Sequence, residues 1–267
     1  MRRPSVGTIA LIAASTLAAC SDGSGPSGGG QLNFGLASRP AAASASSASA
    51  SVIGTPETFT DGTNVLVVDT VQLVIRELEL KRVEATVSCG ESGGDHCEKL
   101  EVGPLLLDLP LGAGVARAFS VPLAAGSYSE VEFEIHKPSD DDASDAAFVQ
   151  AHPDFAGRSV LVTGSFNGVR FHYSSDLDAE EEIELSPPLV TTDAAAADLT
   201  LLVDLDRWFR TGAGVLVDPA TANVGLVNEG LVETNIRATL HAFEDENHDG
   251  SDDHGGTSGS DDGSAHT

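Results

Sequence analysis

Between residues 57 and 244 apolar side chains recur at every second position or in short unbroken runs, a strand signature. Val65-Leu66-Val67-Val68 is such a run, and residues 71–75 and 78–83 intersperse apolar with polar positions. Residues 100–111 read as a further strand, interrupted by Gly103-Pro104 as at an edge or bulge. Residues 116–123 and 128–136 follow. Within the second of these, Glu130-Val131-Glu132-Phe133-Glu134-Ile135 alternates strictly, which predicts one charged face and one buried face. Residues 159–166 and 169–173 flank Asn167-Gly168, a two-residue hairpin turn whose positions both tolerate positive φ. Residues 181–185, ended by Pro187-Pro188, and 199–205 complete the set. Many strands at short spacing, with Gly, Pro and Asn turns between them, predict a mainly β protein, an antiparallel β-sandwich.

The last patterned segment fits two periods. Val232, Ile236, Thr239, Leu240 and Phe243 share a helical face, whereas Val232, Thr234, Ile236, Ala238, Leu240 and Ala242 alternate as in a strand. Phe243 fits only the helix, so residues 231–244 are expected to hold one short C-terminal helix, with strand as the alternative. On either side the pattern stops. Residues 20–56 are rich in Gly, Ala and Ser and read as a flexible spacer with a root-mean-square span of roughly 30–35 Å. Residues 245–267 form an Asp/Gly/Ser/His tail without core side chains, expected to be disordered. The expected organisation is therefore a leader at 1–19, a spacer at 20–56, a sandwich at 57–244 and an acidic tail at 245–267.

The leader carries its own information. Arg2 and Arg3 precede an apolar stretch from Val6 to Ala14, too short for a membrane-spanning helix, and Leu17-Ala18-Ala19-Cys20 follows. This order resembles a bacterial lipoprotein signal, with cleavage before a cysteine that receives lipid. The resemblance implies lipidation at Cys20 and attachment to the lipid bilayer through two or more acyl chains, which stable anchoring requires. Ser21 resembles the outer-membrane sorting preference. The other two cysteines, Cys89 and Cys97, enclose a Gly-rich loop, and an oxidising compartment favours their disulfide, which would contribute about 2–3 kcal/mol. A metal site using Cys89, His96 and Cys97 is the competing reading, but it lacks a fourth ligand and has poor tetrahedral spacing.

Fourteen basic and 41 acidic residues give a net charge of −27. Such a surface repels phosphate backbones, so nucleic acid is not an expected partner, and it repels anionic lipid headgroups, leaving membrane attachment to the lipid. Cations are the natural small partners.

Val121-Pro122-Leu123-Ala124-Ala125-Gly126-Ser127-Tyr128-Ser129-Glu130-Val131-Glu132-Phe133 resembles a phrase of bacterial envelope sandwiches, L-P-A-G-x-Y-x-x-V-x-F, in which Gly permits a tight turn and Tyr packs at the start of the next strand. Together with residues 71–83, 203–209, 216–219 and 235–245, it resembles a family of bacterial lipoproteins carrying a domain of unknown function. The match departs from the phrase at Leu123-Ala124-Ala125-Gly126. The resemblance implies an envelope location and an immunoglobulin- or transthyretin-like sandwich, and it implies no activity.

One local motif has a mechanism. Asp245, Asn247 and Asp249 occupy positions one, three and five of a calcium loop, with Gly250 at six, Ser251 at seven and Asp253 at nine. Position twelve is Gly256, where a bidentate carboxylate belongs, so any Ca2+ affinity is expected to be low. Acidic clusters at 139–145 and 176–182 read as solvated loops. Trp208 and Phe209 read as core rather than as an exposed ligand platform. His136, His152 and His172 lie near no nucleophile–base pattern, and nucleophile-elbow, zinc-protease and phosphate-loop motifs are missing from the sequence. The expected role is a non-catalytic binding or structural surface module whose partner is an envelope protein or glycan. A calcium-binding surface module is the first alternative. A glycan-acting hydrolase with unmarked carboxylates is the second.

Overall fold

The computed structural model describes residues 30–38, 54–83, 97–100, 102–112, 114–192 and 196–253. Its strands are β1 (Gly30–Ser38), β2 (Glu57–Thr60), β3 (Val65–Arg82), β4 (Cys97–Leu100), β5 (Leu105–Asp108), β6 (Val115–Leu123), β7 (Gly126–Ile135), β8 (Val160–Phe166), β9 (Val169–Ser175), β10 (Ala179–Thr191), β11 (Ala196–Val203) and β12 (Leu240–Glu244). Two short helices, α1 (Ala146–Ala151) and α2 (Glu229–Arg237), complete the elements used below. Two sheets pack face to face as a β-sandwich. One has four strands in the order β12-β11-β1-β6; the other has eight, running β10-β7-β3-β8-β9 with β2, β4 and β5 added along β3.

The long strand β3 organises the larger sheet. The three apolar runs expected at 65–68, 71–75 and 78–83 are one continuous strand, irregular between Val68 and Thr70 and between Arg76 and Leu78, where Glu77 takes a φ of 59°. β8 pairs with residues 66–73 of β3 and β7 with residues 75–82. The two neighbours meet end to end at Val74, whose N–H donates to Ser159 and whose carbonyl accepts from His136. The chain between β7 and β8 therefore leaves the sheet at this seam. Its α1 and the turn Pro153–Phe155 pack Phe148 and Phe155 on Val74, on the face away from the main core.

The main core lies between the sheets. Leu32, Phe34 and Leu36 of β1 and Leu199, Leu201 and Val203 of β11 face Leu73, Ile75, Leu78, Leu80, Val131, Phe133, Ile135, Val160, Val162 and Tyr173 of the larger sheet, all buried in one cluster. The charged alternation of 130–135 behaves as its pattern predicts, with Val131, Phe133 and Ile135 in the core and the glutamates outside. The Asn167-Gly168 hairpin also forms as predicted, with Asn167 at φ 49° and Gly168 at φ 80°.

The phrase around Tyr128 is the crossover from one sheet to the other, between β6 and β7. Tyr128 is buried, and its hydroxyl donates to the Ala124 carbonyl at 2.9 Å, closing the turn. Thr191 Oγ1 donates to the same carbonyl at 2.8 Å, and the Arg82 guanidinium lies 5.4 Å over the Tyr128 ring.

Several expectations are corrected. The spacer expected at 20–56 contains β1, a buried central strand of the smaller sheet. Leu32, Phe34 and Leu36 do alternate, but a single short strand among Gly, Ala and Ser residues has no local partner; its neighbours β6 and β11 lie far along the chain. β1 and β11 pair in parallel, so the sandwich is antiparallel except for this pair. Residues 231–244 satisfy both periods because they hold both structures: α2 ends at Arg237 and β12 begins at Leu240. The single strand expected at 100–111 does not form: Leu100 ends β4, and within the range only residues 105–108 are a strand, β5, both pairing with β3. β10 continues through Pro187-Pro188, its pairing with β7 shifting register between Glu184 and Leu189. Trp208 and Phe209 are core residues, as expected.

Candidate functional site

The sequence-predicted calcium loop folds against the outer face of the smaller sheet. β12 delivers it there: after Glu244 the chain turns back over β11 and β1, and the N–H of Asp245 donates to the Asp198 carbonyl. The expected disorder of the tail thus fails for residues 245–253, while residues 254–267 lie outside the described residues. Asp245, 0 % exposed, is the anchor. Its Oδ1 accepts from the N–H of Asp249 at 3.0 Å, and its Oδ2 accepts from the N–H of Gly250 at 3.0 Å and from Thr200 Oγ1 at 3.1 Å. Asn247 Oδ1 accepts from the N–H of Asp249 and Asp249 Oδ1 from that of Ser251. Asp253 closes the loop, its Oδ2 accepting from the N–H groups of Glu246 and Asn247. Gly250 supplies the turn at φ 80°. His248 Nε2 lies 3.1 Å from Asp198 Oδ1, which also accepts from Asn33 Nδ2.

The structure therefore brings Asp245, Asn247, Asp249, Ser251 and Asp253 into one loop, with Gly250 in the role its motif position requires. Asp245 itself is satisfied by protein donors, so it holds the loop on the sheet whatever else the loop does. Beside it lies a groove of about 460 Å³, lined among others by Ala37, Leu202, His241, Phe243 and Asp249. Of the remaining predicted residues, Cys97 opens β4, and Cys20 and Cys89 lie outside the described residues.

A second feature is electrostatic. On the outer face of the larger sheet, cross-strand register stacks three rows over β3, β7 and β10: Lys81–Glu130–Glu184, Glu79–Glu132–Glu182 and Arg76–Glu134–Glu180. The outer rows each contain a cation, with Lys81 Nζ 3.4 Å from Glu130 and Arg76 Nε 3.0 Å from Glu134. The middle row is all glutamate. Partial burial, followed by the charges of Glu79, Glu180, Glu182 and Glu130, pushes the Glu132 carboxyl up to about 7. A folded-state pKa above the unfolded value of 4.5 means that the native state binds more protons between those pH values. The ionised Glu132 thus costs stability in full above about pH 7, and the cost vanishes below about pH 4.5. Because the face is open to solvent, screening reduces that cost to about 1 kcal/mol. Glu132→Gln is expected to raise the unfolding free energy by that amount at pH 8 and to leave it unchanged at pH 4, as measured by urea unfolding at both pH values. A raised carboxyl is what a glycosidase acid needs, but Glu132 stands on an open sheet face among like charges rather than in a cleft.

Among the described residues, three groups bring carboxylate or imidazole ligand atoms within 4.8 Å of one another: Glu134, His136 and Asp178; Glu130, Glu132 and Glu182; and Asp176, Glu229 and Glu233. None includes the tail acids. The first was not legible in sequence, because Asp178 comes from a separate segment and the only local hint was Glu134 and His136 two positions apart at a strand end.

The chain matches no family profile, no curated protein and no solved structure.

Proposed function

We propose that this protein is a lipid-anchored module of the bacterial cell envelope, held at the outer membrane, that binds or packs against an envelope protein or glycan without catalysing a reaction. The observation that carries the reading is the order of residues at the start: a basic pair, a short apolar stretch, and Leu17-Ala18-Ala19-Cys20. The net charge of −27 is consistent with it, since the protein surface itself would not hold to anionic lipid. Val215, Val224, Leu226 and Val227 are exposed along one segment and offer apolar contact on an otherwise acidic surface.

The position of β1 changes the geometry of such an anchor. Only nine residues separate Cys20 from Gly30, so the tether reaches at most roughly 35 Å. Gly30 pairs with Leu123, near the Tyr128 crossover, so in this reading the tether would leave the sandwich at that end. The test is metabolic labelling with fatty acid. The native chain is expected to take up label and fractionate with outer membrane, and Cys20→Ser is expected to lose both. Label retained by Cys20→Ser would overturn the assignment. The Cys89–Cys97 disulfide belongs to the same reading and predicts a mass increase of two alkylated thiols only after reduction.

A second reading is a calcium-binding surface module. It rests on the loop motif folding as one unit, with Asp245, Asn247 and Asp249 at alternating positions and Gly250 turning the chain. Calorimetry with Ca2+ on the full chain and on Asp249→Ala separates the two readings. Asp249 is exposed, so its removal spares the Asp245 anchor. Heat present in the native chain and lost in the variant supports the calcium reading; equal heats in both remove it.

A further inference from the structure

His136 ends the run of β7 at the seam where β7 and β8 part from β3. It is 4 % exposed. Its Nε2 lies 2.9 Å from Oδ2 of Asp145, a carboxylate 0 % exposed that also accepts from the N–H of Ser139 at 2.9 Å. With the ring N–H placed on Nε2, the imidazole donates to this carboxylate. That arrangement turns Nδ1 into the open position of the ring. Nδ1 is buried and makes no hydrogen bond. It faces Oε1 of Glu134 at 3.4 Å and Oδ1 of Asp178 at 3.8 Å. In that tautomer the Nδ1 lone pair faces two carboxylate oxygens, a repulsion that a positive centre between them, a proton or a metal ion, relieves.

We propose that Nδ1 of His136, Oε1 of Glu134 and Oδ1 of Asp178 form a binding site for a first-row divalent transition cation of the Zn2+ class. The spacing suits it. Ligands about 2.1 Å from a tetrahedral metal lie ~3.4 Å apart, against 3.4 and 3.8 Å for the two His136 contacts, and all three ligand atoms fall within 4.8 Å of one another. One imidazole with two carboxylates is a borderline donor set that favours such cations over Ca2+ or Mg2+, which take oxygen alone. Asp145 stands behind the imidazole as the carboxylate that sets the tautomer and orients the ring, the usual support of a metal-bound histidine.

The surroundings are consistent with this charge. Arg76 of β3 grips Glu134 by both oxygens, at 3.0 and 3.3 Å, and fixes its carboxylate beside the ring. Asp142 lies 3.8 Å from the same guanidinium. The N–H of Lys137 donates to Asp178 Oδ1, while the Lys137 ammonium is 3.7 Å from Asp176. Carboxylates thus outnumber cations around the seam. Asp178 is half exposed, which leaves a route for the metal and a coordination position for water.

The experiment is a titration of the full chain with Zn2+, followed by imidazole nitrogen NMR, with Co2+ absorption as the second readout. The expected result is one equivalent bound, a displaced His136 Nδ1 resonance with Nε2 still protonated, and an affinity at least tenfold lower in Asp178→Ala. The triple variant His248→Ala, His254→Ala, His266→Ala is expected to keep that equivalent, since the tail histidines are not part of the site. Three results would each overturn the proposal: a His136 ring protonated on both nitrogens and unmoved by Zn2+, which would make the cluster an ion pair only; binding unchanged in Asp178→Ala; or binding abolished by the tail variant.

Discussion

Trp208→Ala is expected to lower the unfolding free energy by about 4 kcal/mol, the middle of the range for truncating a large buried aromatic side chain. Trp208 is the sole tryptophan and is fully buried where the chain leaves β11 and passes under α2. It packs in the cluster that holds Val232 and Ile236 of that helix. Phe209 beside it meets Tyr173 edge-on at 5.2 Å and Phe171 at 6.2 Å. The indole N–H donates to Thr239 Oγ1 at 3.0 Å, and the Trp208 carbonyl accepts from Asn235 Nδ2 at 3.0 Å. The residue therefore anchors the 204–239 segment in the core through its ring, and ties the two ends of that segment together through the ring N–H and the backbone carbonyl. Trp208→Phe keeps most of the volume and loses the N–H, so about 1–2 kcal/mol is expected. Urea unfolding followed by circular dichroism measures both variants. A Trp208→Ala protein as stable as the native one would mean that the ring serves a ligand rather than the core.

Gly164→Ala is expected to cost on the order of 3 kcal/mol, the top of the usual overpacking range. A Cβ at this position would stand 2.0 Å from the Val67 carbonyl oxygen and 3.0 Å from Phe171 Cε1. The first of these is backbone, so β3 and β8 would have to separate where their register already shifts between Val68 and Thr70. Gly168 offers the contrast. It sits at φ 80° with nothing near its missing Cβ, so Gly168→Ala pays only for left-handed backbone, about 1–2 kcal/mol. Hydrogen exchange should separate the two further: Gly164→Ala loosens the β3–β8 ladder, whereas Gly168→Ala acts at the hairpin turn.

Much of the sandwich is legible in local pattern. The strict alternation at 130–135 and the Asn167-Gly168 hairpin follow from rules that act over a few residues, and the burial of Trp208 from the preference of a lone large aromatic for the core. The alternation of Leu32, Phe34 and Leu36 was equally present but sat in a Gly, Ala and Ser background. A strand this short is stabilised only by neighbours, and those of β1 come from residues 115–123 and 196–203. The calcium-loop motif could be read by spacing alone. That Asp245 is buried, and that the loop is fastened through Thr200, required the return of β12 along β11.

By itself, then, the sequence determined the mainly β character, the hairpin, the charged outer face of β7 and the metal-loop spacing, because each depends on side-chain periodicity or turn chemistry within a short window. Tertiary structure alone decided three things: that residues 30–38 belong to the core, that residues 231–244 divide into α2 and β12, and that His136 meets Glu134, Asp145 and Asp178 at the seam of the larger sheet. The reason is common to all three. Burial of β1, the reversal at Ala238-Thr239 and the crowding of carboxylates on one imidazole are set by contacts between distant segments. No local period encodes which segment will arrive.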